Sequence, residues 1–394
     1  MLLDGLDATA LPRVNLYRAS ARVSRWDYEG SIPLLVDYAR ARGLSAYERI
    51  VARVNLAAAL VYGRKYARAE YLLRDLLHDT SARRLDLALG RVMELTAELF
   101  LARKRWDEGE RFLVEAERRL ADCGTIDLFF VRKFRAVAAL GRDGTSDALR
   151  IIREQALVLR HWETLRDCER IEAMGLGDRR LMARVWFGTP YESFRERIRQ
   201  AVRFEPPAEY LWSPGSVSTG GPVLDLTTGR VSGAGGAVKV GQVVHRLLCV
   251  LCSDFYRPFR TATLWGLLFA GEHFNPHASP LRVRQAILRL RRWFGESGLP
   301  LGVEEDSGGY RLTSSAPCAI RISAHGAKIM EDARLKLLRE TLGEGPFSIR
   351  DAGRALDLAP RTMLRLLRGA LGDGKLERVG SGNRSRYVFA RKAA

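Results

Sequence analysis

A recurrence of aromatic residues constrains the N-terminal half of this chain more than any other feature. Trp26, Tyr66 and Trp106 stand 40 positions apart in turn. Each precedes an apolar run: Ile32, Leu34 and Leu35, then Leu72 and Leu73, then Phe112 and Leu113. A poorer fourth unit starts near Gly144 and Thr145 and runs into Ala148, Leu149, Ile151 and Ile152. Only Pro12 and Pro33 occur before Pro190, so little interrupts a helical pattern. An aromatic after a short turn wedges between two antiparallel helices, and a small residue three positions on lets them approach. One such hairpin cannot bury its own apolar face, so neighbours must stack.

In its aromatic and small positions alone, the pattern resembles tetratricopeptide-type repeats. The full signature of that family is missing, and the period is nearer 40 than 34. The resemblance implies a helical solenoid over 1–205 that binds a partner protein or a second copy of itself, a homodimer being one form. An irregular all-helical bundle is the other arrangement the pattern permits.

The chain of 394 residues is 47% hydrophobic and 28% charged, which packed domains need and disordered chains lack. No uncharged apolar run approaches the ~20 residues of a membrane span, so no membrane partner is expected. The opening MLLDGLDATA has no basic residue ahead of an apolar stretch, so no secretory signal is expected either. Five cysteines in so long a chain make no disulfide framework and suit a reducing cytoplasm. The net charge is +18. Residues 1–210 carry 37 basic and 31 acidic side chains, 211–330 carry 13 and 7, and 331–394 carry 14 and 8. Each segment is +6, so positive charge becomes denser toward the C-terminus. A GC-rich genome can account for arginine in place of lysine, but not for the excess itself.

Breakers at 206–222 mark a linker. Beyond it, Val223–Leu226, Arg230–Val231 and Val238–Val240 predict a small antiparallel sheet. A helix is expected at about 241–253, with Val244, Leu247, Leu248 and Leu251 on its apolar side. Thr261 is expected to N-cap a second helix and Ser279 a third, with Pro280 in its first turn. A hairpin then turns at Asp306–Gly308. Together the LDLTTGRV opening at 224–231, RPFRTATLW at 257–265, SPLRVRQAILRLRRWF at 279–294 and GGYRL at 308–312 resemble the OmpR/PhoB-type winged-helix DNA-binding domain. The likeness covers roughly a quarter of the chain. That family usually carries a phospho-receiver domain in front, where this chain has helical repeats. The loop from Phe269 to Ala278 also departs from the family, so its contacts are not carried over.

The third helix can be read without the family. At 100° per residue, Val283, Ile287, Leu290 and Phe294 share one arc and face a core. Arg282, Gln285, Arg289 and Arg292 form a stripe on the other side, flanked by Arg284 and Arg291. Arginine can fork onto guanine and glutamine onto adenine in a major groove wide enough for a helix. Basic residues opposite a core are often only a solvated face. Five arginines and a glutamine with no acidic residue from 279 to 294 weigh against that. Thr261 and Arg311 are candidate phosphate contacts. The acidic run Glu304–Asp306 would repel phosphate, so the wing is expected to stand off there.

Residues 326–394 repeat the logic. A helix is expected at about 328–342, and Ser348 with Asp351 resembles a capping box opening a second. A third carries Arg361, Arg365 and Arg368 on one face, and a hairpin carries Arg384 at its tip. This order resembles a generic winged helix-turn-helix and implies a second DNA contact, although such helices also serve protein contacts.

Cys249, Cys252, His273 and His277 mimic a zinc pattern, but the 20-residue gap and the leucines around the cysteines favour core packing. His161 and His245 have no acidic or cysteine partner at catalytic or ligand spacing. No catalytic constellation and no phosphate-binding glycine loop is present, so neither an enzyme, nor a cofactor, nor a metal is expected. The expected architecture is mainly α: a helical-repeat region at 1–205, a linker at 206–222, and two α+β winged-helix domains at 223–325 and 326–394. The expected function is a sequence-specific, double-stranded-DNA-binding transcriptional regulator of the bacterial cytoplasm, associated with the nucleoid. The competing reading is a helical scaffold whose winged helices dock proteins.

Overall fold

The computed structural model describes residue 7 and residues 11–122, 125–215, 221–233, 236–306, 308–324, 334–335, 337–356, 358, 360–380 and 385–390. The molecule is mainly helical, and among the described residues strands occur only in its C-terminal part. It divides into two compact units: Met1–Trp186 with Tyr191–Glu205, and Phe187–Pro190 with Pro206–Ala394.

The first unit is built from successive antiparallel helices: α1 (Arg13–Val23), α2 (Tyr28–Arg40), α3 (Ala46–Tyr62), α4 (Tyr66–Ala82), α5 (Asp86–Ala102), α6 (Trp106–Leu120), α7 (Thr125–Asp143), α8 (Asp147–Val158), α9 (Trp162–Leu176), α10 (Arg179–Phe187) and α11 (Glu192–Val202). Tyr66 and Trp106 open α4 and α6, and Trp26 lies just before α2. Three positions beyond the aromatics of the second and third repeats, Ala69 is fully buried and Gly109 is buried. A Cβ on Gly109 would come within 2.6 Å of Leu101, so the small residue sets how closely α5 and α6 pack. The Trp106 indole in turn occupies the space a side chain at Gly141 of α7 would need.

The turns share one geometry. Trp26, Arg64, Arg84, Lys104 and Arg160 all have φ between 51° and 63°. At Arg64 the amide N–H bonds to the Val61 carbonyl, and the next amide, Lys65, reaches back to Leu60. Residues 84–85, 104–105 and 160–161 make the same pair of bonds. This is the Schellman arrangement, which satisfies the last carbonyls of a helix and sends the chain back along it. Positions 64, 84 and 104 are 20 apart, so each aromatic-marked unit contains two helix-and-turn pieces.

In the second unit a four-stranded sheet runs in the order β1-β7-β2-β3, from β1 (Glu209–Trp212), β2 (Val223–Asp225), β3 (Val231–Ser232) and β7 (Ala319–Ser323). The linker expected at 206–222 therefore contains a strand, β1, which pairs antiparallel with β7 through Glu209↔Ser323 to Trp212↔Ile320. The breakers at 213–215 follow that strand, so composition marked the turn and hid the strand before it. In the turn after β2, Asp225 accepts hydrogen bonds from Thr227 and Thr228. Gly229, at φ 68°, leaves no room for a Cβ against the Val238 carbonyl.

Three helices follow: α12 (Val243–Leu251), α13 (Thr261–Leu268) and α14 (Ser279–Glu296). The sheet β4-β6-β5 comprises β4 (Phe259–Arg260), β5 (Leu301–Asp306) and β6 (Gly309–Ser314). One core joins Leu224, Leu248, Leu264, Val283, Leu290 and Ile320, so both sheets and all three helices pack as one body. Two expected caps are corrected. Thr261 is the first helical residue of α13 and Arg260 holds the cap position. Ser279 lies inside the first turn of α14, buried, with Ala278 at the cap. Its hydroxyl accepts from the Asn275 amide, while Asn275 Oδ1 accepts from the amides of His277 and Ala278. The asparagine turn has taken over the job expected of the serine.

The chain ends with helical residues 334–335 and 337–342, α15 (Ile349–Leu356), α16 (Pro360–Gly372), β8 (Leu376–Val379) and β9 (Arg386–Phe389). Residues 328–333 of the expected helix lie outside the described residues. Ser348 and Asp351 form the expected capping box: the Ser348 amide donates to Asp351 and the Asp351 amide to Ser348 Oγ. Leu338, Met363, Leu367 and Tyr387 share a separate small core.

Candidate nucleic-acid interface

Helix α14 is amphipathic as its sequence requires. Val283, Ile287, Leu290 and Phe294 are buried, with exposures of 2% or less. Burying such side chains contributes about 1.5–3 kcal/mol each, which fixes the rotation of the helix on its unit. Arg284, Gln285, Arg289 and Arg292 are all exposed on the outward side. No hydrogen bond or ion pair engages any of the four among the described residues. The guanidiniums stand in solvent on a rigid rod, with no carboxylate on the helix before Glu296.

Two flanking arginines have other work. Arg291 Nε and Nη2 both donate to the Val303 carbonyl, at 3.1 and 2.7 Å, fastening α14 to the hairpin strand β5. Arg282 pairs with Glu272 at 2.6 Å, and its guanidinium lies 4.2 Å from the Phe269 ring centroid and 4.9 Å from that of Trp265. This is a correction: Arg282 is occupied by the loop before α14 and is not a free member of the stripe. The loop 269–278 supplies both the aromatic platform and the counter-ion, a pairing invisible in the periodicity of the helix.

The hairpin also departs from expectation. Arg311 of β6 stands opposite Glu304 of β5 in the register and pairs with it at 3.0 Å. The charge expected to meet phosphate is already neutralised. Thr261 is partly exposed at the start of α13. Sequence reasoning missed two apolar residues on the outward face of α14, Leu281 and Leu288, which are 55% and 59% exposed. Their spacing of seven residues was a legible signal, since it places them on one side.

In the C-terminal body, Arg368 is exposed on α16 and no bond engages it among the described residues. Arg361 and Arg365 lie on the same helix, but their side chains fall outside the described residues, as does Arg384 altogether. The structure therefore brings together Arg284, Gln285, Arg289 and Arg292, and leaves Arg282 and Arg311 committed elsewhere.

Of the groups set aside as metal ligands, the two cysteines pack against the core, while His273 and His277 are exposed. Cys252 is buried, and burial pushes the Cys249 thiol up to about 12. His245 ties α12 to the strand turns: one ring nitrogen meets the Leu226 carbonyl at 2.8 Å and Nδ1 accepts from the Gly241 amide. Burial lowers its pKa, so the ring is neutral at pH 7. No group of metal-ligating side chains occurs among the described residues, and no helix there is long and apolar enough to cross a membrane.

No family model matches the chain, and no curated protein is similar to it by sequence. Among solved structures, it is similar to a Podosopora anserina putative kinesin light chain with nearly identical TPR-like repeats. A point variant of that protein aligns at a TM-score of 0.32 and 12% identity, over 50% of this chain and 95% of that one. A second crystal structure of the same repeats aligns at 0.31 and 13%, over 50% and 100%.

Proposed function

We propose that this protein is a sequence-specific double-stranded-DNA-binding transcriptional regulator that lays α14 in the major groove. The observation that carries the reading is the exposed face of α14. Three arginines and a glutamine stand there without partners among the described residues, on a helix whose other side is locked into a core. Forked arginine contacts to guanine and an amide contact to adenine discriminate by about 1–3 kcal/mol each. Leu281 and Leu288 suit the methyl groups of thymine on the same face. In this reading 206–324 is an OmpR/PhoB-like winged helix, and the C-terminal body is a second winged helix adding a contact through Arg368. Joining two weak binders raises overall affinity through effective concentration. The tetratricopeptide-like hairpins would bind a partner protein or a second copy, in the bacterial cytoplasm at the nucleoid.

The two exposed leucines also favour a second reading, a helical scaffold whose α14 docks a protein. The test is anisotropy titration of full-length protein with duplexes selected from a random library. A regulator retains a preferred sequence over random duplex by about a thousandfold or more, with log affinity falling linearly in log salt. Binding that is weak and equal for all duplexes would overturn the proposal in favour of the scaffold.

A further inference from the structure

The first unit encloses a cavity of about 370 Å³ that the DNA-binding reading does not use. That volume lies in the range of pockets for small organic ligands. Its walls combine aromatic rings, Trp26, Tyr28, Tyr62, Phe130 and Phe134 among them, with charged side chains. The helices α2, α3, α5, α7, α9 and α11 and the turns before α2 and α9 all contribute to it, so it is a product of the stacked hairpins.

Its charges do not cancel. Lys133 and Arg170 both pair with the single carboxylate of Asp167. Arg91 pairs with Glu94, and Glu163 accepts from the Trp26 indole and lies 3.4 Å from Arg166. Glu98 accepts the Tyr62 hydroxyl at 2.8 Å, and burial together with neighbouring Glu94 drives its carboxyl far above the usual range. A carboxyl so raised is a weak counter-ion for the cations around it. Arg197, on α11, has no carboxylate partner among the described residues. Its Nη1 donates to the Tyr62 carbonyl, and its guanidinium lies 5.4 Å from the Tyr28 ring centroid and 6.0 Å from that of Trp26. Its Nε is buried without a hydrogen-bond partner. Buried polar groups are almost always satisfied, and an unpaired buried donor on a charged group is a strong exception.

We propose that this cavity binds a small aromatic carboxylate, with the ring packed against the tryptophan, tyrosine and phenylalanine walls and the carboxylate held by Arg197. The ligand supplies, at the Arg197 guanidinium, the anion that the surplus of cations lacks. An aromatic ammonium would add to that surplus, and a neutral amide would leave it unchanged. The inference does not depend on the DNA-binding reading, because it concerns the helical unit alone.

The test uses full-length protein and calorimetry with benzoylbenzoate, its neutral amide and its aminomethyl analogue. The carboxylate is expected to bind at least tenfold more tightly than the amide, with no heat from the ammonium. In Arg197→Gln the carboxylate should lose tenfold or more in affinity while the amide is unchanged, and Arg197→Lys should recover part of the loss. Irradiating the wild-type complex provides a readout that needs no variant, since the benzophenone should label peptides containing residues 23–28 or 130–137. Equal affinity for carboxylate and amide, no binding at millimolar ligand, labelling elsewhere, or full carboxylate affinity in folded Arg197→Gln would each overturn the proposal.

Discussion

Arginine is abundant in both the helical unit and α14, yet it does different physical work in each. In the helical unit it is cross-linked. Arg53 of α3 pairs with Asp75 and Asp79 of α4, Arg135 of α7 with Glu110 and Glu117 of α6, and Arg153 of α8 with Glu169 and Glu172 of α9. Each bridges two helices of the stack. On α14 the outward arginines have no such carboxylate among the described residues. Side-chain type does not separate a structural cation from one available to a ligand; the nearest negative charge does.

The sharpest way to break this comparison is to remove a cation from each region. Lys133 is buried beside Asp167, which also binds Arg170. Burial raises the Asp167 carboxyl, but the two cations outweigh it and hold the group far below its ordinary value. We expect Lys133→Met to lower stability by about 3 kcal/mol, because an under-compensated buried charge remains. Arg289→Met should change it by less than about 0.5 kcal/mol. Urea unfolding followed by circular dichroism measures both. The pH dependence has a definite sign. A depressed carboxyl pKa contributes stability above its unfolded value, near 4, and loses it as pH falls toward the folded value. The acid limb below pH 4 should therefore flatten in the variant. A variant as stable as wild type would show that the buried cluster is not what holds these helices.

Binding should respond in the opposite order. We expect Arg289→Ala with Arg292→Ala to weaken binding to a selected duplex by about a hundredfold, at 1–3 kcal/mol per contact. Arg135→Ala in the helical unit should change it by no more than about twofold. Gel shift at fixed salt measures each. Comparable losses from both sites would mean that general charge, not the α14 face, binds DNA.

How much of this was legible depended on the length scale of the pattern. The 40-residue aromatic recurrence led to stacked helical hairpins because wedge and small residue repeat within one element. The buried arc of α14 was equally legible, since a helix converts sequence spacing into one face. Pairings across elements were not. The ion pair of Arg282 with Glu272 depends on how a ten-residue loop folds, and that of Arg311 with Glu304 on strand register. Strand β1 was missed because its partner, β7, lies more than 100 residues away. The half-period of the repeat was missed because Arg64, Arg84 and Lys104 mark their turns by backbone angle and not by glycine.

Those turns yield the next test. An L-residue in the left-handed region costs about 1–2 kcal/mol, and glycine loses about 0.5–1 kcal/mol more backbone entropy elsewhere in a chain. Arg84→Gly should therefore stabilise the helical unit by about 0.5–1 kcal/mol, read as a rise in the urea midpoint. A fall would mean that the Arg84 side chain supports the hairpin by contacts of its own.

The smallest effect is the most diagnostic for the comparison, because it asks whether a paired arginine can be turned into an available one. Arg311 is held by Glu304 across the β5–β6 hairpin, and both are about half exposed. An exposed pair contributes only about 0–1 kcal/mol, so Arg311→Gln should leave stability nearly unchanged. It should also leave DNA affinity within about twofold, since its charge is already matched. Glu304→Gln removes the match. The freed guanidinium should raise affinity by about two- to fivefold and steepen the salt slope by about one counterion, because one more cation can displace ions from phosphate. If Arg311→Gln instead costs tenfold, the hairpin touches DNA despite its acidic neighbour. The available cations would then extend beyond α14.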